Sequence, residues 1–593
     1  MARTNAIPPH ETDRLLALTQ PPRRRKNVMW TVCSYILWLE TIEAVAFYGI
    51  AQALKNFMEA RLGYSKVSAS AVRSTWTSLY NIMPLLGAYI GDERWGRYTS
   101  IKFFAMWYIA ATSLLTFAAH PTVLEHHLPL SNACFLVSLF LGVAVGHGCM
   151  NPNIVTLGAD QFHADDDAQK QLFFSYFYLA INLGSSVSYG YLAYLSVNGL
   201  GDLVPPSYGY FATFLLSTVL LIAALLLFVG HSSKYITLPP HPDAFTALFT
   251  TLASGISMCP ELRFIVGGFV LFLVSFALNA MVVFSTESSA MITYAAGLCV
   301  FLGMGCWIAK GMDPSYLDAL EHAMPSSSLL TTSVDEFKQV VRVLPFACFL
   351  VLWQSVFDQI DANFQSIAQQ CDLRLGSARD APQIPGAMLG LFDTIGVSIM
   401  IPALEFAVFP LLRRIRGGVA ASPFEKVFCG LLLAGLAMLW TGVVETWRRD
   451  SGAIDLGDGQ GPVLDLGTHK PMNNLSWVYV VPNYLLVCCC ECLVNVTMYD
   501  VFYSNVPLHW KSTAQAINSF MLAMGDNMAS IVTLVFAAYI PDDLNQGHLE
   551  YMYYTMAAVS VANAVGFFAV MTRMKFATGH DDPGRKVVKQ VEA

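Results

Sequence analysis

Long apolar segments recur from one end of this chain to the other, and they limit the folds open to it. Each is about as long as the roughly 20 residues that a helix needs to cross the apolar core of a bilayer. Across 593 residues only 13% are charged and the mean hydropathy is +0.49, against about 25% charged residues in soluble domains. The sequence therefore predicts an all-α polytopic membrane protein. We expect about fourteen transmembrane helices, at residues 28–57, 68–91, 98–119, 131–158, 171–195, 208–230, 263–285, 289–309, 338–369, 386–412, 424–447, 476–504, 512–540 and 550–573.

The basic residues between these segments predict the orientation, since Lys and Arg are retained on the cytoplasmic side. Basic clusters lie at 23–26 before the first helix, at 413–416 after the tenth and at 573–575 after the last. An even number of helices places all three clusters on one side, whereas one missed or surplus helix would separate them. Both termini are therefore expected to be cytoplasmic.

The segments divide into two groups of six with an insertion between them. The insertion contains an additional helical pair, 263–309, which lacks a polar lining and is expected to be peripheral to any pathway. Transporters built from two such halves place their substrate near mid-membrane between the halves. The expected divisions are a cytoplasmic N-terminal tail (1–27), an N-terminal six-helix bundle (28–230), a linker with the inserted pair (231–337), a C-terminal six-helix bundle (338–574) and a cytoplasmic C-terminal tail (575–593).

Two glutamates, Glu40 and Glu43, interrupt the first apolar segment. A carboxylate at the bilayer centre costs roughly 2.5–3.5 kcal/mol on insertion scales. The three-residue spacing puts both side chains on one helix face, and that face must look into a polar interior rather than at lipid. The pair predicts a water-accessible pathway through the membrane.

The sequence shows no pattern that indicates catalysis or metal binding. A nucleophile elbow, a Walker loop and a metal-ligand cluster are all missing from it, so neither an enzyme nor an ATP-driven pump is expected. Most of the 13 cysteines lie in apolar segments, including the run at 488–492. Their spacing suits neither a disulfide framework nor a zinc site, and they are predicted to be packing residues.

Several short motifs occur in order along both halves of the chain. Together they resemble the proton-dependent oligopeptide transporter family, also called the peptide and nitrate transporter family, over roughly residues 28–574. That family belongs to the major facilitator superfamily, so the resemblance implies two helical bundles that rock about a central site. Its prokaryotic members carry an extra helical pair, which residues 263–309 resemble. The motifs are Glu40-x-x-Glu43 with Phe47-Tyr48-Gly49, Pro84 to Tyr98, Asn151-Pro152-Asn153, Gly158 to Phe162, Phe173 to Ser185, Arg342-Val-Leu-Pro345, Trp353, Asp358-Gln359, Ile384-Pro385, Phe392-Asp393-Thr394 and Pro482 to Glu491.

Three positions depart from the family pattern, and each departure removes a cation. The arginine that follows the second glutamate is replaced by Ala44, and the lysine before the fourth-helix proline is replaced by Asn151. A further arginine of the peptide-binding members corresponds to Ala51. Without these cations, we expect Glu40 and Glu43 to share a proton or to remain neutral at cytosolic pH. Coupling to protons is then expected to be weakened or shifted towards acidic compartments.

The resemblance and the residue types together predict the site. Glu491 is expected to bind a substrate amine, and Asp358 to act as a gate or proton group, with a helix-bending hydrogen bond as the alternative for Asp358. A neutral structural pair is the alternative for the two first-helix acids. The predicted proton-coupling residues are Glu40, Glu43, Asp358 and Glu491, and the predicted substrate-binding residues are Tyr48, Asn151, Tyr178, Asn182, Trp353, Gln359 and Glu491.

Two predictions in this set have a packing or interfacial alternative. By the resemblance Asn182 faces the substrate, whereas its spacing from Gly184 equally suits a patch where helices approach closely. Arg73 in the second helix is expected to extend to the membrane interface, with pairing to an interior acid as its alternative.

A short charged turn after the second helix, with Asp92, Gly96 and Arg97, is predicted to gate the cytoplasmic side.

The N-terminal tail contains an acidic dileucine pattern, Glu11 with Leu15 and Leu16. Adaptor proteins read such patterns when they sort cargo to endosomes, lysosomes or vacuoles, although an unstructured tail can contain the pattern by chance. We therefore expect a lysosomal, vacuolar or endosomal membrane ahead of the plasma membrane, and sorting adaptors as partners.

The expected function is secondary active transport by alternating access. The default is proton-coupled symport of di- or tripeptides or related amine-bearing solutes, driven by a proton gradient without a cofactor, a metal or a nucleic-acid partner. Two alternatives stay open. One is an uncoupled facilitator or exchanger of a non-peptide solute such as nitrate or a metabolite, and the other is a sensor or adaptor-recruiting scaffold at an endolysosomal membrane.

Overall fold

The structure, a computed structural model, describes residues 28–162, 167–237, 240, 256, 259–284, 290–318, 334–419, 421–457, 459, 461–504 and 511–574. Helices occupy all fourteen predicted positions. Within the described ranges, eleven of them are long and apolar enough to cross a membrane, which confirms the predicted all-helical membrane fold. The helices are α1 (Met29–Ala60), α2 (Lys66–Tyr89), α3 (Arg97–Ala118), α4 (Leu128–Ala159), α5 (Asp167–Val187), α6 (Pro206–Gly230), α7 (Leu262–Phe284), α8 (Ala290–Gly311), α9 (Lys338–Gln369), α10 (Gly386–Ile415), α11 (Pro423–Asp450), α12 (Val481–Ser504), α13 (Lys511–Val535) and α14 (Glu550–Arg573).

The three less apolar helices are α2, α5 and α13. In α2 a run of Ser, Thr and Arg side chains is buried inside the protein, and α13 buries Asp526, Asn527 and Ser530 in the same way. Hydrogen bonds join the two helices, since Ser78 donates to the Ala523 carbonyl at 2.6 Å. Polar side chains of this kind would be unfavourable against lipid but are satisfied against another helix. In α2 and α13, low apolarity therefore marks helices that pack their polar side chains inside the protein.

Each half of the chain builds its own apolar core. One buried cluster is formed by residues between 29 and 235, with Trp76 and Phe135 among its largest side chains. A second is formed by residues between 259 and 574, with Trp353 and Tyr484 among its largest side chains. The two cores place a seam between α1, α2 and α5 on one side and α9, α10, α12 and α13 on the other.

The inserted pair, α7 and α8, differs from its prediction. Asn279 of α7 is fully buried and donates to Asn527 of α13 at 2.9 Å, with Thr75 of α2 at 3.5 Å. Asn527 in turn donates to Ser275 of α7 at 3.0 Å. The expectation that the pair lacks a polar lining is therefore wrong. The sequence did not indicate these contacts, because two polar residues scarcely change the mean hydropathy of a long apolar helix. Through them α7 contacts both halves of the protein.

Two long loops form a small folded cap beside α9 and α11. They follow α9 and α11 and are joined by isolated bridges, such as that between Asp372 and Ser476. Within the cap, the carboxylate of Asp465 accepts hydrogen bonds from the amide (2.7 Å) and hydroxyl (2.8 Å) of Thr468. Burial nevertheless raises the pKa of Asp465. The predicted orientation places this cap on the non-cytoplasmic side. Its small apolar core comprises Leu373, Ile454, Val463 and Met472, with Trp477 packed against it.

Candidate functional site

The first-helix acids occupy different environments inside the N-terminal half. Both are buried, with only 1% of Glu40 and 2% of Glu43 exposed. Glu43 Oε1 lies 2.7 Å from Nδ1 of His147 on α4, whereas Glu40 Oε2 has no hydrogen-bond partner among the described residues. Glu43 therefore has an ionisable partner that the sequence analysis did not include, since a histidine can carry a positive charge.

His147 is a site residue that the sequence analysis missed. It lies four residues, about one helical turn, before Asn151 and so shares a helix face with it. Its neighbours are Gly146, whose added Cβ would lie 2.7 Å from Tyr108 Cβ, and Gly148, whose added Cβ would lie 2.5 Å from Met83 Cβ. These two glycines let α4 approach α3 and α2 closely. Searching one turn on either side of each departure from the family pattern would have found this histidine.

Ala44 lies where α1 and α5 come together. A Cβ added to Gly184 of α5 would stand 2.5 Å from the Thr41 carbonyl oxygen and 2.7 Å from Ala44 Cβ. The side-chain amide of Asn182 donates to the backbone carbonyl of Tyr178 within its own helix at 2.9 Å. In this arrangement Gly184 and Ala44 form a close-packing patch, which is the packing alternative stated for this part of α5.

Glu491 is held between the two halves. The hydroxyl of Tyr178, on α5, donates to Glu491 Oε1, on α12, at 3.1 Å. Asn495, one turn along α12, also contacts Glu491, and its side chain accepts a 3.0 Å hydrogen bond from Trp353 on α9. Three predicted site residues, Tyr178, Trp353 and Glu491, are therefore linked in one chain of contacts that crosses the seam.

The remaining predicted substrate residues are placed less directly. Gln359 is fully buried and accepts a 2.8 Å hydrogen bond from Asn363 within α9. The ring of Tyr48 lies 6.1 Å from that of Tyr189, and Asn151 is half-buried on α4. Tyr48 and Gln359 lie on helices that border the seam, α1 and α9.

Asp358 joins the two halves across the seam, on the side of the protein where α1 finishes and α2 starts. It lies at a junction within α9, between a regular helix that ends at Phe357 and a wider turn that begins at Ile360. Its carboxylate accepts a hydrogen bond from Ser74 and lies 3.7 Å from Arg73, both on α2. Arg73 is 3% exposed, so the expectation that it extends to the membrane interface is wrong. A buried guanidinium needs a paired charge and hydrogen-bond acceptors to offset its desolvation, and Asp358 and the Thr77 hydroxyl, to which Arg73 donates, provide them.

Two lysines that the sequence analysis missed also join the two halves on this side of the protein. Lys55 of α1 donates hydrogen bonds to two residues of α9. One goes to the backbone carbonyl of Ala362, and the other, of 2.5 Å, goes to Ser366 Oγ. Lys66, at the start of α2, donates to Gln370 at 3.0 Å. Lys55 lies one turn beyond Ala51, so a helical register search would again have found it.

A further buried acid, Asp526 of α13, was also missed. It is fully buried and accepts hydrogen bonds from Asn81 of α2 at 2.7 Å and from Gln354 of α9 at 2.9 Å. The sequence signal that could have identified Asp526 is an acidic residue inside the predicted transmembrane segment 512–540. Asp526 continues the polar contact between the halves towards the middle of the helices.

The predicted cytoplasmic turn is connected within the N-terminal half. Arg97, at the start of α3, pairs with Asp160 at the end of α4. Gly96 adopts φ 78°, a left-handed conformation that favours glycine. Asp92 lies in the turn before it. The sorting pattern of Glu11, Leu15 and Leu16 lies outside the described residues.

Comparison with known proteins agrees with this architecture. The profile of the POT family matches residues 98–546. The Arabidopsis thaliana proteins NRT1/PTR family 8.1 and 8.5 are 26% and 27% identical to this chain, covering 94% and 92% of it and 95% and 89% of their own lengths. The crystal structure of the POT family transporter PepTSo superposes with a TM-score of 0.72 at 20% identity, covering 92% of this chain and 98% of that one. An auto-inhibited POT family peptide transporter gives 0.70 at 19% identity, covering 91% and 96%. The chain belongs to the POT family of membrane transporters.

Proposed function

We propose that this protein is a proton-coupled symporter of di- or tripeptides or related amine-bearing solutes. The observation that carries the proposal is the contact between Tyr178 and Glu491, which places a buried carboxylate between the two halves near the middle of α12. A buried carboxylate is a favourable partner for a substrate ammonium group, because a charge-assisted hydrogen bond is stronger than a neutral one. An amine bound there would contact both halves at once.

The distribution of polar contacts along the seam supports alternating access as the proposed mechanism. The halves are tied at the end where α1 ends and α2 begins, through Asp358, Lys55 and Lys66. Breaking these contacts and re-forming others would open the site to that side, in the rocking motion of two bundles. Protons are the proposed driving ions because Glu40, Glu43 and Glu491 are buried carboxyl groups that can each hold one.

The proposed substrate class also agrees with what solved relatives bind. One POT family transporter was solved with 5-aminolevulinic acid and another with a thioalcohol-conjugated peptide. Both neighbours share only 15–16% identity with this chain. Their ligands nevertheless define the amine-bearing range within which we place the substrate.

The test is uptake by purified protein in liposomes that contain a trapped pH dye, with labelled dialanine as substrate. An inward proton gradient should drive accumulation of dialanine together with internal acidification. Counterflow at equal pH without gradient-driven accumulation would instead identify a facilitator. No flux in either assay would overturn the peptide proposal, and nitrate and then other solutes would be tested in the same vesicles.

We further propose that the N-terminal pattern sends the protein to an endosomal, lysosomal or vacuolar membrane. The support is the acidic dileucine sequence Glu11 with Leu15 and Leu16. Replacing both leucines with alanine should move a fluorescently tagged protein to the plasma membrane and abolish adaptor binding to the tail, whereas uptake in liposomes should be unchanged. An unchanged location in cells would reject the sorting proposal without affecting the transport proposal.

A further inference from the structure

We propose that His147 and Glu43 act as one proton-holding pair within the pathway, with the histidine as the positioning and charge-balancing partner of the carboxylate. The proposal rests on proton-coupled transport as the proposed function. It adds a residue on α4 that none of the motifs described above includes.

The geometry favours a shared proton. His147 Nδ1 and Glu43 Oε1 are 2.7 Å apart, the short distance typical of a charge-assisted hydrogen bond. Moving the proton from Nδ1 to Oε1 breaks the N–H bond and forms an O–H bond. The pair then changes from imidazolium and carboxylate to neutral imidazole and carboxylic acid, with its total charge unchanged. Loading a second proton from outside would give the pair a net positive charge.

The imidazole is held in place by aromatic rings on two sides. Phe47 of α1 stacks on it, with 3.7 Å between ring centroids and 14° between planes, and Tyr80 of α2 meets it edge-on at 5.5 Å. His147 is 7% exposed. A ring held in this way keeps Nδ1 directed at Glu43 without the entropy cost of ordering it during each transport cycle.

The titratable groups around the pair come from three neighbouring helices. Glu40 of α1 interacts electrostatically with Glu43 and has one oxygen without a hydrogen-bond partner. Tyr108 of α3 meets the imidazole at 6.3 Å and also interacts with Glu43, and Tyr80 is contributed by α2. Within the described part of these helices, His147 is the group beside Glu43 that can become a cation near neutral pH.

The alternative is that His147 only packs against Phe47 and holds no proton. Substitutions can distinguish the packing role from the proton-holding role. His147→Asn keeps an amide donor near the Nδ1 position but cannot be protonated. His147→Asn combined with Asn151→Lys supplies a cation one turn along the same face of α4. His231→Asn is the matched control, since His231 stacks on Tyr35 with 3.8 Å between ring centroids and its Nδ1 lies 2.9 Å from the backbone carbonyl of Leu227.

The first readout is transport of labelled dialanine in liposomes. In His147→Asn we expect gradient-driven uptake to fall by at least about tenfold, the factor that one pH unit of proton affinity represents, while counterflow at equal pH stays within about twofold. The double variant should recover most of the gradient-driven uptake. Equal loss of both activities in His147→Asn, without recovery in the double variant, would show a packing role and overturn the proposal.

A second readout does not depend on any substrate. Infrared difference spectra of the protein in lipid nanodiscs, recorded between about pH 5 and pH 8, should contain a carboxyl band that disappears in Glu43→Gln. The pH at which this band changes should differ between the wild type and His147→Asn, and should not differ in His231→Asn. An unchanged band in His147→Asn would overturn the proposed pair. A wild type that shows the coupled band but transports no dialanine would instead reject only the proposed substrate.

Discussion

Arg73 on α2 and Asp358 on α9 lie 3.7 Å apart across the seam between the two halves of the protein, with both side chains buried. Asp358 lies where α9 changes from a regular helix, which ends at Phe357, to a wider turn, which begins at Ile360. Separating two buried charges is costly unless each finds a new partner. The pair therefore connects the local conformation of α9 to the closure of one end of the protein.

Removing one member of this pair should be worse than removing both. Arg73→Met removes the guanidinium that lies 3.7 Å from the buried Asp358 carboxylate, and breaking a buried pair costs about 3–5 kcal/mol. The double variant Arg73→Met with Asp358→Asn removes the isolated charge and should recover part of that loss. Thermal unfolding of the purified variants in one detergent measures the difference.

The surface pair of Arg416 and Glu425, at 2.8 Å and more than 40% exposed, is the control. Arg416→Met should change stability by no more than about 1 kcal/mol. If the double variant is as unstable as the sum of its two single variants, Arg73 and Asp358 are not energetically coupled.

Glu491→Gln should selectively weaken the binding of substrates with a free amino group. The glutamine keeps the size of the side chain and can still accept the hydrogen bond from Tyr178, but it has no negative charge. A hydrogen bond to a charged group is worth about 1.5–3 kcal/mol, so the apparent affinity for dialanine should fall roughly 10- to 100-fold.

N-acetylated dialanine, which lacks the ammonium group, provides the comparison in the same competition assay. Its affinity should be nearly equal in the wild type and in Glu491→Gln. Parallel losses for both compounds would place the amine elsewhere in the site.

How well the sequence predicted the structure depends on the kind of interaction. Apolar length predicted the helices well, because the bilayer imposes one length on every span. The side-chain partners were less predictable, since they depend on which faces of distant helices meet. Arg73 was misplaced for this reason: its partner, Asp358, lies 285 positions away in the sequence, and a pattern on α2 alone cannot indicate it.

A second limit on prediction from sequence concerns residues that lie one helical turn from the position where a family motif expects them. Departures at Ala51 and Asn151 suggested missing cations, but Lys55 and His147 each lie one turn away on the same helix face. A comparison of aligned positions treats such residues as unrelated, whereas in three dimensions they lie close enough to serve the same neighbourhood. Helix-face comparisons would therefore predict charge balance better than position-by-position ones.

Gly184→Ala should destabilise the contact between α1 and α5. The added methyl group would lie 2.5 Å from the carbonyl oxygen of Thr41 and 2.7 Å from Ala44 Cβ, and neither atom belongs to a flexible side chain. Overpacking of this kind costs about 1–3 kcal/mol, which a lowered thermal unfolding midpoint would report. Gly190→Ala is the matched control, because its methyl group meets nothing within 4 Å. Equal midpoints for the two variants would show that α5 can shift to accommodate the group.

The folded cap should be more stable at acidic pH. Burial raises the pKa of Asp465 in the folded state, although its hydrogen bonds from Thr468 act in the opposite direction. A carboxyl group whose folded-state pKa is raised contributes stability that is fully present below its ordinary value of about 3.9. That contribution is lost as the pH rises through the folded-state pKa. The cap lies on the predicted non-cytoplasmic side, which in an endosome or lysosome is acidic.

Hydrogen exchange of residues 454–472 measures this effect, after correction for the intrinsic dependence of exchange on pH. Protection should be greater at about pH 4, near the ordinary pKa of an aspartate, than at about pH 7.5 in the wild type. Asp465→Asn, which is neutral at both values, should remove the difference. Asp455→Asn is the control, because Asp455 is exposed and binds the Gly457 amide at 2.9 Å. A pH difference that persists in Asp465→Asn would mean that another group controls the pH dependence of the cap.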